Sequence, residues 1–274
     1  MPASWPEDLP PWRLWVIPAG VALGFVGGEV GALVVDGIGA AGGASVSHPT
    51  PAMTIAGSIL FDLGFLGAAI WLAALTGHVR PADFGFRRVS WRAGVSAVVA
   101  AAFAYYVLTA AYATVFTVHG TDKLPSGFGV GRSTAALIGT AVFVCAIAPM
   151  AEETFFRGFL FGGLRRLRIS LGGRELGPWI AAAVTGVLFG LAHFDSAQPE
   201  FLIPLGFLGF VLCLMRWRTG SLYPGMALHS ANNSVALGVQ LHWSVAAVVG
   251  LVLASWTVIA AVAWPLGARS PRLA

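Results

Sequence analysis

Apolar runs occupy residues 14–38, 53–76, 93–117, 133–164, 179–194, 200–215, 222–240 and 244–264, with Pro, Gly, Arg or Trp at their edges. An α-helix rises about 1.5 Å per residue, so about 20 apolar residues cross the hydrocarbon layer of a bilayer. The pattern therefore predicts an all-α polytopic membrane protein: about eight transmembrane helices around a buried polar cavity, forming a single integral membrane domain over residues 1–274. The fourth run is long enough to tilt or protrude, and the fifth and sixth are short. Trp12, Trp15, Trp91, Trp179, Trp217, Trp243 and Trp264 fall at run edges, where an amphipathic ring sits best at headgroup level. The first run is long and its flank is not basic, which fits a retained anchor rather than a cleaved signal peptide.

Charge placement tests this layout. An even number of spans leaves both termini on one side. Thirteen basic residues then share that side: Arg13, Arg80, Arg87, Arg88, Arg92, Arg165, Arg166, Arg168, Arg174, Arg216, Arg218, Arg269 and Arg272. Lys123 and Arg132 fall on the other side, and Arg157 lies within a span. The positive-inside rule makes the Arg-rich side and both termini cytoplasmic. Composition agrees with a lipid environment: 57% of residues are hydrophobic and 10% charged, against about 25% charged in soluble domains. The net charge of +4 reads as topology anchoring, with the lipid bilayer as partner and no nucleic acid. A bias to Arg, Ala, Gly and Val hints at a G+C-rich genome and a bacterial plasma membrane. Cys145 and Cys213 lie within apolar runs and read as packing residues, not as a disulfide or CxxC site.

Once the spans are drawn, the informative residues are those that cost free energy where they sit. Glu29, Asp36, Asp62, Glu152, Glu153, Arg157, His193, His229 and Asn233 fall within apolar runs, and a central charge costs about 2.5–3.5 kcal/mol on insertion scales. In APMAEETFFRG, Glu153 and Arg157 are four apart and share a helix face, which suits an ion pair. Glu152 is turned about 100° from Glu153, leaving its carboxylate free. Pro149 removes one backbone hydrogen bond and favours a kink that admits water nearby. His193 follows Phe189 by four residues in GVLFGLAHF, where Gly186 and Gly190 offer a small-residue face to another helix. His229 and Asn233 repeat the four-residue spacing in TGSLYPGMALHSANN. Helical rise from the cytoplasmic edge puts Glu152 and His193 at about 20 Å and His229 and Asn233 at about 9 and 15 Å, close enough to meet in tilted helices. Glu29, Asp36 and Asp62 are read as structural pairs or interfacial groups in preference to cavity-lining acids.

A carboxylate, two imidazoles and a carboxamide are the parts needed for water attack on an amide: a base for the water, a group to position it, and neutral donors for the oxyanion. The chain has no GxSxG, HExxH or plausible nucleophilic Cys. Two readings from other classes stand beside the peptidase. Buried Glu and His residues also mark proton-coupled transporters, although no internal repeat is detectable. A non-catalytic bacteriocin-immunity or scaffolding protein would use the same polar groups to hold helices together.

The three motifs also carry a resemblance. APMAEETFFRG resembles the EExxxR signature, GLAHF the FxxxH signature and TGSLYPGMALHSANN the HxxxN signature of the CAAX protease and bacteriocin-processing enzyme (CPBP, or Abi) family, which includes the type II CAAX prenyl endopeptidases. They occur in the family's order, with a CPBP-like core at about residues 133–240. The resemblance implies an intramembrane endopeptidase acting on a peptide or protein at the membrane. Glu152 would be the base that activates water, with Glu153 and Arg157 as structural companions. His193 would hold the water, His229 and Asn233 would stabilise the oxyanion or complete the polar site, and Phe189 would pack. The family is commonly classed as metalloproteases. Glu152, His193 and His229 form an acceptable zinc ligand set with an open position, but their dispersed spacing supports a metal-free, glutamate-centred mechanism equally.

Overall fold

A computed structural model describes residues 9–116, 127–194 and 196–269; Lys123 and Arg272 lie outside these. Long helices follow the apolar runs: α1 (Val16–Ala41), α2 (Pro51–Leu75), α3 (Trp91–Val115), α4 (Thr134–Leu164), α5 (Gly177–Leu191), α6 (Pro199–Thr219), α7 (Tyr223–Gln240) and α8 (Val245–Ala263). The protein is an all-α polytopic membrane protein. Among the described residues, six helices are long and apolar enough to cross a bilayer: α1, α2, α3, α4, α6 and the segment Val245–Leu266 that contains α8. The expectation of eight spans is thus not met in full. At 15 residues α5 is too short, and α7 is diluted by Ser, His and Asn.

Local signals set the helix ends. Thr50, Ser90, Ser133 and Ser244 each accept a hydrogen bond from the amide three residues on, capping α2, α3, α4 and α8. Gly220, at φ 67°, ends α6 in the left-handed conformation that glycine adopts without strain.

The Arg-rich connections gather at one end of the bundle. There the two-residue strands β1 (Arg87–Arg88) and β4 (Ala268–Arg269) pair in parallel. Arg166 donates to the carbonyl of Pro10 at 2.9 Å, Arg88 to Trp264 at 3.2 Å, and the Leu222 amide to Gly85 at 2.8 Å. A hairpin of β2 (Ser170–Leu171) and β3 (Arg174–Glu175) joins α4 to α5.

Two helix pairs approach closely through small residues. A Cβ on Gly64 of α2 would overlap the Gly28 backbone of α1. The Gly186–Gly190 face of α5 meets the Leu202 and Gly206 backbone of α6. Neighbouring helices enclose α4 and α6 more than the other four span-length helices. The helix α4 packs beneath Trp12, which is fully buried with its ring tilted against Phe159.

Candidate active site

The helix carrying EExxxR is not a plain α-helix. Within α4, residues Phe143–Ile147 and Glu153–Leu160 adopt π-helical hydrogen bonding, and only Ala148–Glu152 between them is α-helical. The Ala148 amide reaches back five residues to Phe143, and the Phe161 amide five to Phe156. Such π segments interrupt helices mostly at functional sites. Here they flank Glu152 on both sides.

Glu153 and Arg157 form the expected ion pair at 2.9 Å, and both side chains are almost wholly buried. The pair is part of a larger assembly. The Arg157 guanidinium lies 4.2 Å from the centre of the Phe189 ring. The same Glu153 oxygen accepts from Nδ1 of His229 at 3.0 Å. Gly225, in the first turn of α7, allows this approach, because a Cβ there would stand 2.8 Å from the other Glu153 oxygen.

His193 lies two residues beyond the end of α5, in the turn that follows, not within the span where the apolar run puts it. Its Nδ1 is 2.8 Å from the Phe189 carbonyl. A carbonyl only accepts, so Nδ1 carries the hydrogen and Nε2 presents its lone pair. His229 is oriented alike, since its Nδ1 faces a carboxylate. Both Nε2 atoms then point to one place: Oε2 of Glu152, at 4.0 Å from His193 and 3.8 Å from His229. These distances exceed hydrogen-bonding range. Among the described residues, that oxygen is buried and accepts no hydrogen bond.

Residues Glu152, His193 and Asn233 line one cavity of about 510 Å³ that opens between α1, α2, α4 and the turn after α5. Glu29, Asp36 and Asp62 line it too. This corrects the preference for structural pairing of these three acids, since they face the same space as Glu152. Asn233 does not point wholly into the cavity, because its Nδ2 donates to the Val144 carbonyl at 2.9 Å.

The separation of the three candidate ligands bears on a metal. Ligands of a tetrahedral zinc stand about 3.4 Å apart, given bonds of about 2.0–2.2 Å. The Nε2 to Oε2 distances of 3.8 and 4.0 Å are wider. Among the described residues no group of three or more His, Cys, Asp or Glu is arranged to hold a metal ion. Glu152, His193 and His229 as placed do not fit zinc, and no step below passes through one.

Comparison with known proteins bears on the same segment. Residues 134–235 match the family model described as "Type II CAAX prenyl endopeptidase Rce1-like". This segment is similar to the Rce1-like family. The matched segment holds every signature residue, from Glu152 to Asn233. A Bacillus subtilis protein, "Uncharacterized protein YyaK", is 31% identical over 138 residues, covering 47% of this chain and 43% of that protein. An Escherichia coli protein, "Uncharacterized 24.3 kDa protein", is 26% identical over 180 residues, covering 63% of this chain and 72% of that protein. The chain therefore matches less than half the length of the Bacillus relative. No solved structure matches.

Sequence reasoning passed over Ser230. It is fully buried and donates to the Cys145 carbonyl at 2.6 Å. The signal for it was Pro149, which must leave a carbonyl on α4 without its usual partner.

Proposed function

We propose that the protein is an intramembrane endopeptidase in which Glu152 activates water to hydrolyse a peptide bond near the membrane surface. The observation that supports this most is the unpartnered Oε2 of Glu152, buried at the cavity edge between two inward-facing imidazole nitrogens. A group able to gain a hydrogen bond is costly to bury without one, and a water held there donates one hydrogen to Glu152 Oε2 and the other to Nε2 of His193. Glu152 takes a proton from that water as its oxygen attacks the carbonyl carbon, then passes the proton to the departing amine. The Nε2 lone pair of His193 orients the water. The second amide hydrogen of Asn233 faces the oxyanion that forms, and His229 completes the polar wall beside it. Glu153 and Arg157 neutralise each other and hold His229 through Nδ1.

Sites of this kind take a peptide segment at the membrane: a peptide precursor, a bacteriocin leader or the tail of a membrane protein. Both relatives are bacterial, which favours such substrates over prenylated ones. The gathering of the Arg-rich connections at one end supports a cytoplasmic location for that end and for both termini under the positive-inside rule, in a bacterial plasma membrane.

The test compares membrane peptidomes of cells carrying wild-type protein or Glu152→Gln at equal folded yield. The variant is expected to lose a cleavage product and accumulate its precursor, with a rate loss of about 10²–10⁴-fold, as for removal of a general base. Unchanged products would overturn the assignment of Glu152. Vesicle uptake surviving in Glu152→Gln, without any product, would favour a transporter.

A further inference from the structure

We propose that Ser230 is a positioning residue for Glu152, acting with Asn233 as a clamp on backbone that Pro149 leaves unbonded. The reasoning starts from hydrogen-bond accounting along α4. With a five-residue offset, as in the π segment, the Val144 carbonyl would pair with the amide of residue 149. With a four-residue offset the Cys145 carbonyl would pair with that same amide. Residue 149 is proline and has no N–H. The Ala148 amide is already taken by Phe143, so the Val144 and Cys145 carbonyls, five and four residues before Pro149, both face the amide it lacks, in the middle of a membrane protein where an unsatisfied backbone group is expensive.

Both are satisfied from one neighbouring helix. Ser230 Oγ donates to Cys145 at 2.6 Å and Asn233 Nδ2 to Val144 at 2.9 Å. Ser234 Oγ donates in turn to the Ser230 carbonyl at 2.8 Å, on the same face of α7. Ser230 is wholly enclosed, and its neighbour His229 is the residue that faces both glutamates. The clamp thus fixes α4 against α7 two turns before Glu152. It sets the distance between the Glu152 carboxylate and the imidazoles without touching either. Its functional meaning rests on the reading of Glu152 as the base, but its test needs no cleavage assay.

The test is a double-mutant cycle read on detergent-purified full-length protein. Two signals are followed: the midpoint of thermal unfolding, and the imidazole ¹⁵N resonance of His193. His193 follows α5 and has no covalent connection nearby to α4 or α7, so its resonance reports where Glu152 stands. Ser230→Ala is expected to lower the midpoint by a few degrees. It is also expected to shift the His193 resonance towards its position in Glu152→Gln, with helix content unchanged. Pro149→Ala restores one amide hydrogen, which can replace one of the two donors. In that background the effect of Ser230→Ala or of Asn233→Ala, or of both, is expected to shrink at least severalfold on both signals.

Two results would overturn the clamp: full effects of both substitutions with or without Pro149, or a His193 resonance indifferent to Ser230→Ala. Should Ser230→Ala fail to fold, Ser230→Cys keeps the volume with a weak donor and serves the same cycle. Cleavage by Glu152→Gln would overturn the base and leave the outcome of this cycle untouched.

Discussion

The hairpin of α1 and α2 and the helix α4 have nearly the same hydropathy, yet they are buried very differently. The most apolar window is 11% buried in α1 and 50% buried in α4. In water, hydropathy sorts interior from exterior. In lipid it does not, because a leucine is equally well solvated by acyl chains and by protein. Val30, Leu33 and Ile38 of α1 accordingly face outward, while α1 meets α2 along glycines. What marks α4 as interior is its polar content: Glu153 and Arg157 cannot face acyl chains and bury each other instead. Within α4 the polar residues, not the apolar ones, mark the buried face, whereas α6, whose most apolar window is also 50% buried, packs on α5 through small residues.

This contrast can be broken at three points. Removing Arg157 as Arg157→Met leaves Glu153 buried with only His229 beside it. Loss of one partner of a buried pair costs about 3–5 kcal/mol. The variant should therefore show the largest fall in folded yield and in unfolding midpoint in detergent; wild-type stability would mean that the pair does not organise α4.

A smaller loss is expected in the hairpin. Gly64→Val puts branched carbons where the Gly28 backbone now passes, and overpacking of this sort costs about 1–3 kcal/mol. Crosslinking between cysteines introduced at facing positions of α1 and α2 should weaken. Undiminished crosslinking at unchanged stability would show that the two helices are not in close contact. The smallest effect belongs to the outward face, where Leu33→Val should alter stability by no more than about 0.5 kcal/mol. A loss as large as that of Gly64→Val would place Leu33 against a protein partner and not lipid.

Much of the site was legible along the chain because helical periodicity is a local property. The four-residue spacing of Glu153 and Arg157 foretold their ion pair, and the offset of Glu152 foretold a carboxylate without that partner. The same rule failed in detail where the helix departs from ideal geometry. His193 was placed inside a span, but α5 stops at Leu191, and the residue works from the following turn with Nδ1 on Phe189. Glu29, Asp36 and Asp62 were read as structural because nothing local tells an acid facing a cavity from one facing another helix.

The sequence by itself determined the membrane setting, the number and order of apolar runs, the grouping of Arg-rich connections and the identity of the polar residues. These follow from transfer free energies and from repeats of three to four residues, which need no knowledge of the rest of the chain. Only the tertiary structure decided that α5 and α7 fall short of span-like helices, that two π segments flank Glu152, and that the Nε2 atoms of His193 and His229 converge on one oxygen. It also decided which helix supplies donors to the carbonyls that Pro149 leaves open. The need for a donor is written in the backbone of α4, but the hydroxyl that answers it lies 85 residues further on, and only packing brings the two together.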